Sequence, residues 1–209
     1  MCRPAFYVRI LNMFLIAGLG NPGEKYKKTR HNAGFLILDF LYSGFENDKY
    51  ADAKVKKDTI ESKEVILLKP ETFMNDSGKS VSYFVEKYEI PSENILIIYD
   101  DIDLPFGEVR VSFDRGDGGH NGIKSIVSQI GTKAFTRVRV GIAPKDDEGK
   151  AIKPTGGFFT PASKAVSNFV LKDFSQNDLD KIKEISGKVE KIIKTFVKEG
   201  RERVMNEFN

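Results

Sequence analysis

The sequence predicts one α/β domain over residues 1–209, a three-layer α/β/α sandwich around a mixed, mostly parallel sheet. Three observations predict it. Compact apolar runs alternate with segments of helical periodicity, which is the pattern of helices packed on both faces of a sheet. No internal repeat interrupts that alternation. With 209 residues, 40% hydrophobic and 30% charged, the chain is long enough to bury a sizeable core without disulfides or metals.

The elements follow in order. Phe14–Leu19 is a compact apolar run ending at glycine and predicts a buried strand. Asn32 stands where a helix N-cap belongs, and Phe35, Leu36, Leu38 and Phe40 supply apolar surface to a helix through Leu41. Val65–Leu68 predicts a strand stopped by Pro70. Val81, Phe84, Val85 and Tyr88 form one stripe of a helix over Ser77–Tyr88. Asn94–Tyr99 is a second fully apolar run, and Asp100, Asp101 and Asp103 follow it. Glu108–Phe113 alternates charged and apolar residues, as a half-exposed strand does. A glycine-rich loop, Gly116–Gly122, leads into a helix from about Ile123 to Ile130, and Arg137–Ala143 is another strand. Lys145–Lys164 is polar, carries Pro154, Gly156, Gly157 and Pro161, and predicts a long surface loop or lid. Gln176–Glu199 has helical periodicity through Leu179, Ile182, Ile185, Val189, Ile192, Ile193 and Phe196.

Composition excludes several classes. Cys2 is the single cysteine, so no disulfide forms within the chain, which fits a reducing, cytoplasmic setting. Two histidines and one cysteine are too few for a structural zinc site. No run of about 18 apolar residues exists to cross a membrane. Arg3, Arg9 and the run Ile10–Leu19 have a faint likeness to a secretion signal, but Asn12 interrupts the run and no clear cleavage site follows. Residues 1–12 therefore read as a short extension feeding the first strand, with Met13 a second candidate start. The net charge of +3 is compatible with an anionic partner without demanding one.

In such folds ligands bind beyond the carboxyl ends of the strands, so polar residues just after each buried run come first. Gly18, Gly20 and Gly23 match the spacing of a dinucleotide fingerprint, but Pro22 lies inside it and no helix opens beside the glycines. They predict a turn that carries Asn21 out of the sheet. His31 lies in TRHNAG, just before the first helix. A carboxylate bonded to one imidazole nitrogen fixes the tautomer and raises basicity at the other, so His31 with Asp100 would activate a water. The plain alternatives are a structural histidine and, for the acidic cluster, a solvated turn before Pro105 or a Mg²⁺ site. Asn75, in Thr72-Phe73-Met74-Asn75, and Asn121, in Gly118-Gly119-His120-Asn121-Gly122, offer amide donors; ordinary turns and caps are the competing explanation. One base, one orienting acid and several neutral amides suit stabilisation of an oxyanion. No serine sits in a G-x-S-x-G elbow and Cys2 lies in a tail, so direct attack by water is favoured over a covalent intermediate.

Four segments then carry a resemblance. Gly18–Gly34 (GLGNPGEKYKKTRHNAG), Lys69–Gly78 (KPETFMNDSG), Asp100–Gly107 (DDIDLPFG) and Gly116–Ile123 (GDGGHNGI) closely resemble the bacterial-type peptidyl-tRNA hydrolase family. The likeness runs from Phe14 to the C-terminal helix. It implies a monomeric α/β enzyme that cleaves peptidyl-tRNA to peptide and tRNA with no cofactor and no metal. By motif, His31 resembles the catalytic base and Asp100 the carboxylate that stabilises its basic form. Asn21 resembles the residue that helps distinguish N-blocked from free aminoacyl-tRNA. Tyr26, Phe73, Asn75 and Asn121 look like the residues that bind the peptide and the tRNA 3′ CCA end, with Met74 and His120 in the same cleft.

The tRNA acceptor stem is expected to be held through phosphates by Arg110, Arg115, Lys124, Arg137 and Arg139, of which Arg139 matches the family best. Two departures stand out. Ser112 occupies a position usually basic in the family, and Lys145–Lys164 looks longer than the family norm, forming an extended lid, an RNA-contacting loop or a disordered insertion. Two other function classes compete: an RNA-binding protein that no longer catalyses, and a general esterase or amidase for small N-acylated substrates. Retention of His31, Asp100, Asn21, Asn75 and Asn121 argues against the first, since binding alone needs no oriented base.

Overall fold

The computed structural model describes residues 13–156 and 161–209. The expected extension 1–12 and loop residues 157–160 lie outside that range. Seven strands form one mixed sheet: β1 (Phe14–Gly18), β2 (Glu46–Asp48), β3 (Ala53–Ile60), β4 (Lys63–Pro70), β5 (Ile95–Pro105), β6 (Val109–Phe113) and β7 (Thr136–Ala143). Their order is β2-β3-β4-β1-β5-β7-β6. The central strands β4, β1, β5 and β7 pair in parallel. The flanking pairs β2–β3, β3–β4 and β6–β7 are antiparallel.

The parallel strands are apolar along most of their length because both their faces are covered. Along β1, Phe14 and Ile16 enter a cluster with α1 (Ala33–Leu41), α5 (Gln176–Glu199) and α6 (Arg201–Phe208), through residues such as Ile37, Ile192 and Val204. Leu15 and Ala17 point the other way, into a cluster with α2 (Ser77–Tyr88) and α3 (Asn121–Ile130), through Val81, Phe84, Ile123 and Ile126. The expected sandwich is therefore present, with helices on both faces.

Several boundaries differ from the expectation, each for a physical reason. The acids after Tyr99 do not form a solvated turn; β5 continues through them to Pro105, because β7 pairs with it as far as Asp101 and again at Pro105 across a bulge. α3 begins at Asn121, two residues before the expected Ile123, because the His120 side chain caps it. The end of the polar segment 145–164 is helical: α4 spans Ala162–Val170 after Pro161. The strand β3 has no apolar run of its own. Two of its three lysines lay their cations over aromatic rings instead, Lys56 over Tyr42 and Lys57 over Tyr88.

Close backbone approach sets the start of α1. A Cβ on Gly34 would run into the carbonyl oxygen of Ile98 and the backbone of Leu19, and one on Gly18 would run into Gly34. Leu19 N–H donates to Ile98 O at 2.9 Å, and Phe35 N–H donates to Leu19 O at 3.2 Å. Glycine at these positions lets the turn carrying His31 sit directly against the end of β5 that carries Asp100.

Candidate active site

The carboxyl ends of the central strands open into a cleft of about 780 Å³. It is lined by Asn21, Tyr26, His31, Phe73, Met74, Asn75, Asp100, His120 and Asn121, whereas the expected phosphate ligands Arg110, Arg115, Lys124, Arg137 and Arg139 are not among its lining residues. These side chains come from four separate stretches of chain. His31 lies on the 3-10 turn Arg30–Asn32, and Asp100 lies within β5.

His31 and Asp100 touch. His31 Nδ1 lies 2.9 Å from Asp100 Oδ1 and 3.0 Å from Oδ2. Asp100 is 3% exposed and ionised, so Nδ1 carries the proton and donates. His31 Nε2 has no protein partner among the described residues, and His31 lines the cleft. Burial pulls the His31 imidazole down, but Asp100 beside it outweighs that and holds its pKa above the ordinary 6.5. Burial alone would raise Asp100; its electrostatic and hydrogen-bond interactions with His31 and His120 reverse the effect and hold it well below the usual carboxylate range.

His120 is the second imidazole on this carboxylate. Its Nε2 lies 3.0 Å from Asp100 Oδ1, and its Nδ1 accepts from the Ile123 amide at 3.3 Å as the N-cap of α3. The Tyr99 ring packs edge-on against it, with centroids 4.8 Å apart. His31, Asp100 and His120 are the group of potential metal ligands among the described residues. The donor set does not favour a cation. Both imidazoles commit their facing nitrogens to the carboxylate, and His120 cannot turn a lone pair inward without breaking its bond from Ile123.

Asn21 is held from two sides. Its Oδ1 accepts from Met74 N–H at 2.8 Å. Asn32, expected to cap α1, makes no cap bond with its side chain. Its amide instead clamps the Asn21 backbone, accepting from Asn21 N–H at 2.9 Å and donating to Asn21 O at 2.9 Å. The reason is tertiary: the turn at Asn21 passes close enough to take both ends of the buried amide, a partner local sequence does not reveal. Asn21 Nδ2 is left without a protein partner among the described residues, and Asn21 lines the cleft.

Phe73 is 54% exposed and has a φ of 58°, a left-handed conformation that costs a bulky residue of order 1–3 kcal/mol. Its ring meets Tyr26 edge-on at 6.3 Å. Asn75 and Asn121 are exposed at the cleft. Facing them, α4 contributes Val166 and Val170, with Leu171 just beyond it, and Lys153 of the preceding loop pairs with Asp103 at 2.6 Å.

The expected phosphate ligands divide. Arg139 does not line the cleft; it is 7% exposed and its Nε donates to Asp101 Oδ2 at 2.6 Å. Arg137 is fully buried and donates to Gly116 O at 2.8 Å, which fixes the start of the glycine loop. Their alternation with Val138 and Val140 places both arginines on one face of β7, away from the cluster those valines enter. Arg110, Arg115 and Lys124 are exposed.

Known proteins resemble this chain in sequence and in fold. A family model described as peptidyl-tRNA hydrolase matches residues 15–209. The chain belongs to the peptidyl-tRNA hydrolase family. It is 40% identical over 200 residues to a peptidyl-tRNA hydrolase of Desulfitobacterium hafniense, covering 94% of this chain and all of that one. It is 42% identical over 176 residues to one from Aliarcobacter butzleri, covering 83% and 86% of the two chains. The crystal structure of peptidyl-tRNA hydrolase from Acinetobacter baumannii superposes with a TM-score of 0.79 at 34% identity, covering 95% of each chain. Among the described residues, no helix is long and apolar enough to cross a membrane.

Proposed function

We propose that this protein hydrolyses the ester joining a peptide to the 3′ end of tRNA, with His31 as general base. The observation that carries the reading is the bond from His31 Nδ1–H to both oxygens of Asp100, which leaves Nε2 unpaired at the cleft. In the reaction, Nε2 takes a proton as water attacks the ester carbonyl. The carbonyl oxygen gains the negative charge, and neutral amides stabilise it. Collapse breaks the bond to the ribose oxygen, which takes the proton back from His31. The products are a peptide acid and free tRNA. A positioned base of this kind supplies roughly 10²- to 10⁴-fold.

The remaining roles follow from position. Asn21 Nδ2, fixed by Met74 and Asn32, meets the blocked N-terminal side of the ester-linked residue. Asn75 and Asn121 bind peptide backbone groups and so tolerate any side chain. Tyr26, Phe73 and Met74 pack against the peptide and the CCA end. Exposed Arg110, Arg115 and Lys124 hold acceptor-stem phosphates, whereas Arg139 serves the fold through Asp101. The enzyme acts as a monomer in the cytoplasm, as one domain, without a cofactor.

Release of N-acetylated amino acid from N-acetyl-aminoacyl-tRNA, with wild type and His31→Ala side by side, tests the reading. Hydrolysis by wild type alone is the expected result. No hydrolysis by either, with tRNA still bound, would replace the enzyme with an RNA-binding protein. Equal hydrolysis by both would remove His31 from the role of base.

A further inference from the structure

Two imidazoles share one carboxylate, yet the chain treats them differently. We infer that His120 is a positioning residue whose tautomer is fixed by the N-terminus of α3, so that it serves as a pinned hydrogen-bond donor to Asp100 while His31 alone acts as base. The inference rests on the reading of His31 given above.

The geometry is the argument. Nδ1 of His120 accepts from the Ile123 amide at 3.3 Å, so that nitrogen must present a lone pair. The ring proton then sits on Nε2, 3.0 Å from Asp100 Oδ1, and donates to it. Moving the proton to Nδ1 would set two donors face to face at a helix N-terminus and leave Nε2 as an acceptor against a carboxylate. His31 has no such lock. Its Nδ1–H spans both carboxylate oxygens, and its other nitrogen meets no protein group among the described residues.

This arrangement does two things. It stops the Asp100 carboxylate from rotating away from His31, because Oδ1 is tied to both rings and the ring of His120 is wedged against Tyr99. It also draws part of the carboxylate's charge onto His120, which moderates the basicity passed to His31. The other charged groups nearby are mostly committed elsewhere. Asp101 on β5 pairs with Arg139 on β7, and Asp103 pairs with Lys153 on the loop. Asp117 of the glycine loop bonds the Gly119 amide. Tyr99, on β5, adds a neutral ring edge.

Two substitutions separate the two bonds of His120. His120→Asn keeps an oxygen near the position of Nδ1 for the cap and loses the donor to Asp100. His120→Gln places an amide nitrogen near the position of Nε2 and loses the cap. In hydrolysis of N-acetyl-aminoacyl-tRNA, His120→Asn is expected to lower maximal turnover and move the acid limb of the pH–rate profile to higher pH. His120→Gln is expected to keep the wild-type limb and to lower the melting temperature. An unmoved limb in His120→Asn, or equal movement in both, would overturn the proposal.

A measurement on the wild-type protein needs neither variant to fold. The chain has two histidines, so long-range proton–nitrogen NMR spectra, with His31→Ala for assignment, locate each ring proton. The proposal expects it on Nε2 of His120 and on Nδ1 of His31. A proton on Nδ1 of His120 would overturn it. This outcome is independent of the His31 reading, which fails separately if His31→Ala retains turnover.

Discussion

The two walls of the cleft are built in opposite ways. One wall is tied by buried bonds. Asn32 clamps the Asn21 backbone at both ends, Met74 holds the Asn21 side chain, and Asp100 holds both histidines. The other wall is α4 and the loop before it. Val170 is the one buried residue of α4. The helix is anchored near its C-terminal end, where Arg30 donates to the carbonyls of Lys172 and Asp173 and Phe174 N–H donates to Lys28 O. Toward its other end, the loop reaches the sheet through the pair Lys153–Asp103, in which Lys153 is 60% exposed. Chemistry sets the difference. A misplacement of about 1 Å at a reacting group can cost roughly 100-fold, whereas Val166, Val170 and Leu171 present apolar side chains to the cleft and need no such fixed geometry.

The largest effect belongs on the tied wall. His31→Ala is expected to lose at least about 100-fold in turnover on N-acetyl-aminoacyl-tRNA, with a wild-type circular-dichroism spectrum. A variant that keeps a large share of turnover would mean that this wall does not carry the chemistry.

Asn32→Ala comes next. It removes two buried hydrogen bonds, each worth about 1 kcal/mol net. Urea unfolding is expected to show about 2 kcal/mol lost, and kcat to fall while KM changes less. A rise in KM alone would show that Asn32 acts only on binding. This residue also marks a limit of legibility. Its position before an apolar stripe looks like a cap, and its true partner is eleven residues back along the chain, at a turn that only the assembled fold brings near.

Other elements follow the same division. The strands β1, β4, β5 and β7 were legible because strands covered on both faces are apolar along most of their length. β3 was not, since two of its lysine side chains lie over Tyr42 and Tyr88 and leave no apolar alternation to read. The site was legible as four motifs, and the fold brings those motifs to one cleft. Arg139 was expected at the tRNA phosphates from its match to the family, and its burial against Asp101 on the neighbouring strand is a tertiary contact that local sequence does not reveal.

Lys153→Ala probes the loose wall and carries the smallest effect. An exposed pair of this kind contributes little, typically about 0–1 kcal/mol. The melting temperature and kcat are expected to match wild type, with a change in KM below about threefold. A collapse of kcat would erase the contrast between the walls.

The central claim is that Asp100 holds His31 as the base, and the pH dependence of turnover in wild type and Asp100→Asn tests it most directly. On that claim His31 acts in its deprotonated form, and Asp100 holds its pKa above 6.5. Wild-type turnover should therefore fall as pH drops through a value above 6.5. Without the carboxylate charge, burial alone acts on His31, so in Asp100→Asn the limb should move to lower pH while the maximum falls. Superimposable limbs in the two proteins would contradict the account.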